Sequence, residues 1–172
     1  MGLVPCRAGI TAAMLVDMIA ILLGLTAAVL LVAGPTMIVQ GVVGRRSVTR
    51  ELAQQRIRFP ADDGLPTDLH RYAGAPVHTG TQARAFADLI GAHVTKATGG
   101  RTYSEIADEW MAGGRSDQRL AQLRETAFMG QSLRGALLGA YQAWQITVLV
   151  LALGAVFTAM GAAFLALALR GA

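Results

Sequence analysis

The sequence predicts an all-α membrane protein in which two transmembrane helices flank a small helical polar domain. Three features predict it: an uncharged apolar run from Met18 to Val43, a second from about Ala143 to Leu169, and a middle stretch that holds ten of the eleven acids. A chain of 172 residues is long enough for one soluble domain, but 53% hydrophobic residues and a mean hydropathy of +0.46 exceed what such a domain carries. The excess belongs in lipid.

Residues 1–17 form a short N-terminal segment. It holds Cys6, a lone thiol that excludes an intrachain disulfide and lies too early in the chain for a lipoprotein cleavage site. The first span, 18–43, has 26 residues without an ionisable group. At about 1.5 Å per residue it reaches roughly 39 Å, more than the hydrocarbon thickness of about 30 Å. A signal peptide has a shorter apolar core and a basic leader, so the segment is expected to stay in the mature protein. Pro35 lacks the amide proton of a helix interior, so Gly34-Pro35 predicts a kink. Gly24 and Ala28 make a small-xxx-small pair that lets another helix come close.

The polar helical domain, 44–142, opens with Arg45, Arg46 and Arg50, which are expected to contact anionic headgroups. A helix should run from Ser47 to Phe59 and stop before Pro60. The stretch Pro60 to Gly80 holds three prolines and three glycines and predicts an irregular surface connection. Helix resumes at about Thr81, capped by Thr79 or Thr81; Phe86, Leu89, Ile90, Val94 and Ala97 recur in it at helical spacing, and Gly99-Gly100 ends it. A short helix follows from Ser104 through Ile106 and Trp110 to Gly113-Gly114. From Ser116 or Asp117 a long helix runs into the second span. No strand-length alternation stands out, and large apolar side chains are sparse for an independent core, so membrane stalks or a partner are expected to support the domain.

The second span, 143–169, begins beside Tyr141 and Trp144, rings expected at the headgroup level, and ends at Arg170 in the 170–172 tail. Ala152, Ala155, Ala159, Ala162 and Ala166 recur at spacings of three and four, giving one smooth face for helix packing. Its partner is either the first span or a helix of another chain.

Neither span contains His, Lys, Arg, Asp or Glu, which excludes axial haem ligation, a buried proton relay and a charged transport site within them. His70, His78 and His93 lack short ligand spacing, so no metal is expected. Asp62-Asp63, Glu105, Asp108 and Glu109 read as solvated carboxylates, and the Gly-Gly-Arg turns at 99–101 and 113–115 are too short for a phosphate loop. The sequence therefore predicts no catalytic residue, no cofactor and no enzyme. Net charge is +4 with mixed signs, and lipid headgroups, not nucleic acid, are the expected anionic contact. Lys96 is the only lysine among fifteen basic residues, a bias that suggests a genome rich in G and C.

Several stretches carry a resemblance: Leu52-Ala-Gln-Gln-Arg-Ile-Arg-Phe-Pro60, Asp68-Leu-His-Arg-Tyr-Ala-Gly74, Thr79-Gly80 with Ala83 to Asp88, Gly99-Gly-Arg-Thr-Tyr-Ser-Glu105, and Leu133-Arg-Gly-Ala-Leu-Leu-Gly-Ala-Tyr141. Together, over about Met18 to Ala168, they resemble actinobacterial two-span membrane proteins often labelled aromatic ring-opening dioxygenase. A ring-opening dioxygenase needs iron ligands and a packed active site, which these residues do not offer. The resemblance thus implies fold and location and no functional residue.

Arg45, Arg46, Arg50, Arg56 and Arg58 follow the first span and Arg134 precedes the second, against Arg7, the amino terminus and Arg170. Charge alone places the middle in the cytoplasm, but the rule loses force for loops beyond about sixty residues. The resemblance implies both termini inside. An extracytoplasmic domain on the cell (plasma) membrane is the expectation. The function expected is a non-catalytic accessory or assembly subunit of a larger membrane complex, with a respiratory complex as a reasonable host. The alternative is a self-associating envelope protein with a scaffold or stress role.

Overall fold

The computed structural model describes the backbone of residues 6–61 and 65–171, and the side chains of 14–61 and 65–170. The Cys6 thiol and Asp62-Asp63 lie outside the described residues. Among the described residues four α-helices and a short 3-10 turn follow one another: α1 Cys6–Gln54, the turn Thr67–Tyr72, α2 Gly80–Thr98, α3 Tyr103–Ala112 and α4 Gln118–Gly171. No strand forms among the described residues; Arg58 and Pro76 share one isolated antiparallel bridge.

The apolar runs became parts of two very long helices, of 49 and 54 residues. Both are long and apolar enough to cross a membrane. Only 6% and 11% of their most apolar windows are buried, whereas a core helix of a soluble protein is mostly covered. Pro35 is accommodated inside α1 without ending it. Nearby, the Thr36 hydroxyl donates to the Val32 carbonyl at 2.7 Å. The helix expected over 47–59 is the end of α1 and stops at Gln54, where Arg56 turns left-handed with φ 53°.

The chain divides into two compact units: Met1–Gly44 with Thr147–Ala172, and Arg45–Ile146. In the first, α1 and α4 pair antiparallel. Ala27, Gly34 and Gly41 recur every seven residues and are all buried, as are Thr147, Gly154 and Gly161. Their backbones nearly touch: a Cβ on Gly154 would stand 2.8 Å from the Gly34 carbonyl oxygen and 3.0 Å from the Ile38 amide nitrogen. One on Gly161 would stand 3.1 Å from the Leu31 amide nitrogen. A seven-residue repeat keeps one seam facing its partner in a left-handed pair, and small residues let that seam close.

The second unit has its own core of Leu52, Phe59, Leu65, Leu69, Val77, Leu89 and Leu137, filled out by Ala83, Ala85 and Ala87. Phe59 stacks on Tyr72 and meets Phe86 edge-on, both with centroids 5.1 Å apart. The described part of the connection, 65–80, is more ordered than its composition suggests. Backbone amides of Phe59, Gly74 and Val77 donate across it to Ala75, Pro60 and Ile57, each at 3.0 Å. It also holds the 3-10 turn, whose Leu69 is buried.

α2 starts one residue earlier than expected, at Gly80, because Thr79 and Gln82 form a reciprocal capping box. It ends on Gly99 in the left-handed conformation. Ala97, expected on the apolar face, is exposed. Gly80 is required by packing, since a Cβ there would run into the Trp144 side chain of α4, with Cδ1 at 2.9 Å. Gly80→Ala is expected to lower stability by roughly 2 kcal/mol through this overpacking, as a lower melting temperature in detergent would register.

α3 begins at Tyr103, not Ser104. Thr102 is the cap, accepting from the Glu105 amide at 3.3 Å while the Glu105 carboxylate accepts from the Thr102 amide at 2.7 Å. α3 buries Ile106 completely. The Asp117 carboxylate accepts from the Arg119 and Leu120 amides at 2.8 and 3.1 Å and so starts α4.

Candidate functional site

In a helical hairpin of this kind the faces left open are the places where another molecule can act, and here they differ from the faces that the hairpin uses for itself. Gly34, Gly41, Gly154 and Gly161 close the intrachain seam. Ala152, Ala155, Ala159, Ala162 and Ala166 take no part in it and are all exposed. At about 100° per residue the alanine stripe is turned roughly 120° from the glycine seam. The idea that the stripe docks on the first span of the same chain is therefore corrected: glycines allow closer backbone approach and take that role.

Gly24 is half-buried, with nothing within 4 Å of an added Cβ, and Ala28 is exposed. A shallow apolar groove lies along the same side of α1, lined by Ala28, Val29, Val32, Ala33, Thr36 and Met37. Two smooth surfaces thus remain open on the apolar unit, one on each helix.

The basic and aromatic residues expected at the headgroups are partly tied to each other. The Arg45 guanidinium lies over the Trp144 ring, 4.2 Å from its centroid. Trp144 is only 7% exposed, because the missing side chain of Gly80 opens a slot for it. Trp144 is thus a packing residue with a cation on its face. Tyr141 is half-buried, with Arg84 of α2 at 5.7 Å. Arg46, Arg50 and Arg170 are exposed. Arg84 was missed in the sequence, since nothing local marks it as a neighbour of Tyr141.

The titratable residues form no reactive cluster among the described residues: no three His, Cys, Asp or Glu come together as a metal requires. The ring nitrogen Nε2 of His70 lies 3.0 Å from the Leu65 carbonyl, and His78 and His93 are exposed. The two ion pairs among the described residues, Arg84–Asp88 at 3.0 Å and Arg101–Glu109 at 2.7 Å, are both solvent-exposed. Arg124 lies 4.1 Å over the Trp110 ring, whose buried Nε1 has no hydrogen-bond partner.

No family model, curated protein or solved structure matches the chain. Function has to be argued from the surfaces themselves.

The Glu105 carboxylate is held by the cap of its own helix. Hydrogen bonds from the Thr102 backbone and side chain hold its carboxyl below the usual carboxylate range, with Arg101 adding to them. A depressed folded value means that the ionised carboxylate favours the folded state at neutral pH. That contribution fades as pH falls from the ordinary carboxylate range through the lowered one. Thr102→Ala removes half of the box and should lower the melting temperature at neutral pH. Thermal melts at two pH values should show the difference between wild type and variant shrinking in acid.

Proposed function

We propose that the chain is a non-catalytic accessory or assembly subunit of a larger membrane complex, held in the cell membrane by α1 and α4. The observation that carries this reading is the division of labour between small residues: the glycine seam satisfies the hairpin, and the alanine stripe and the Gly24–Ala28 side remain open. Lipid tails are as apolar as leucine, so helices in a bilayer associate through close packing, not through hydrophobic drive. Faces with short side chains suit a helix from another subunit better than they suit lipid.

Arg45, Arg46, Arg50 and Arg170 are assigned to anionic headgroups. The central residues are assigned to the extracytoplasmic side, and respiratory complexes are the expected hosts. An enzyme is not proposed, because no described cluster pairs a nucleophile or metal ligand set with a base. Migration of the tagged chain on a native gel, extracted from its own membrane, tests the reading. A band well above the mass of the chain supports it, whereas migration as a monomer rejects it.

The second reading is self-association through the same alanine face, giving a scaffold of identical subunits. It rests on the fact that one exposed stripe on each copy suffices for a two-fold contact. Composition of the high-mass band separates the two.

A further inference from the structure

The geometry points to an oxyanion site in the cleft between the end of α1 and the segment Pro76–His78, shaped for the phosphate group of a small phosphorylated molecule or of a lipid. The cleft measures about 310 Å³ and is lined by Arg56, Arg58 and His78 together with Leu52 and Val77. None of its described lining residues is acidic. Neither Arg56 nor Arg58 enters an ion pair among the described residues. Leu52 and Val77 are 2% and 1% exposed and belong to the core behind the cleft, whereas Arg56, Arg58 and His78 are exposed at its surface.

The backbone gives a second reason. Arg56 adopts φ 53°, and its amide donates to the Ala53 carbonyl at 3.2 Å as the chain leaves α1. This left-handed position is the one where glycine ends helices at no steric cost. The chain has arginine there instead, and that arginine lines the cleft. Two residues on, Arg58 donates one N–H to the Gly74 carbonyl at 3.3 Å, which fixes its direction and leaves its other donors available. His78 also lines the cleft, and its ring can supply a further N–H donor. Guanidinium forks match the tetrahedral oxygens of phosphate through paired, charge-assisted hydrogen bonds. The inference does not depend on the accessory role.

The test uses the full chain in phosphatidylcholine nanodiscs at low salt, titrated with inorganic phosphate and followed by calorimetry and melting temperature. Wild type is expected to bind and to gain stability. Arg56→Gly is expected to melt higher without ligand, because the left-handed turn is relieved, yet to lose about tenfold in affinity, the loss expected for one charge-assisted contact. Arg58→Gln should lose affinity to a similar degree without the gain in stability. If phosphate has no effect, but nanodiscs containing phosphatidic acid stabilise wild type and not Arg56→Gly, the ligand is a lipid headgroup and the site stands. If neither probe acts, or both variants bind as wild type does, the inference is overturned.

Discussion

Replacing Gly154 with valine is expected to separate α1 from α4 in the apolar unit and to lower stability by about 3 kcal/mol, near the upper end of overpacking effects. The reason is what the new atoms would meet. A single Cβ already reaches 2.8 Å from the Gly34 carbonyl oxygen and 2.8 Å from Ile38 Cγ1, and 3.0 Å from the Ile38 amide nitrogen. Two of those three neighbours are backbone, which cannot swing away as a lysine tip would. Gly34 faces the same obstacle in reverse, with the Thr158 amide nitrogen at 2.7 Å and the Gly154 carbonyl oxygen at 2.8 Å. Relief requires the helices to move apart along the whole seam, which also loosens Gly41 against Leu151 and Gly161 against Leu31. Thermal unfolding in detergent reads the loss directly. Ala155→Val, on the exposed face of the same helix, is the control that should change little.

Ala159→Leu is expected to do the reverse. Ala159 is exposed and lies outside the glycine seam, so the chain alone should keep its stability to within about 0.5 kcal/mol. A leucine in the middle of a smooth stripe adds bulk where another helix would lie, and close packing is the main attraction available there. Retention of companions, or of a second copy, should fall to near background. A stable Ala159→Leu chain that keeps all its companions would move the docking surface elsewhere, with the Gly24–Ala28 side as the next to test.

The two substitutions also mark how far the sequence could be read. The apolar runs were legible because lipid imposes a length and forbids charge, and both constraints are visible residue by residue. The capping residues Thr79 and Asp117, and the glycine stops at Gly99 and Gly113, follow from local chemistry and lie within a residue or two of their expected places. The pairing face was not legible by the rule applied. Alanines at spacings of three and four suggest a groove, but a groove says nothing of which helix enters it. The deciding signal was a longer one: Gly34 and Gly41, seven apart, opposite Gly154 and Gly161, seven apart. Gly34 in particular suggests, together with Pro35, a weak point in the ladder, whereas its lack of a side chain is what the neighbouring helix needs.

Trp144 illustrates a different limit. Its place beside an apolar run suggested a ring at the membrane surface, and only the tertiary contact with Gly80, 64 positions earlier, turns it into a buried packing residue. The same holds for the cleft at Arg56, Arg58 and His78. Two of these lie in one basic stretch whose simplest reading is attraction to headgroups, while the histidine arrives through the pairing of Ile57–Pro60 with Gly74–Val77. Long-range contacts of this kind leave no periodic trace.

Purification of the tagged wild-type chain and of Ala159→Leu from their native membrane in a gentle detergent, with mass-spectrometric identification of what remains bound, tests the central claim most directly. The account predicts a stoichiometric set of other membrane-protein subunits with the wild type and their loss with Ala159→Leu. Recovery of the wild-type chain alone, as a monomer without companions, would contradict it.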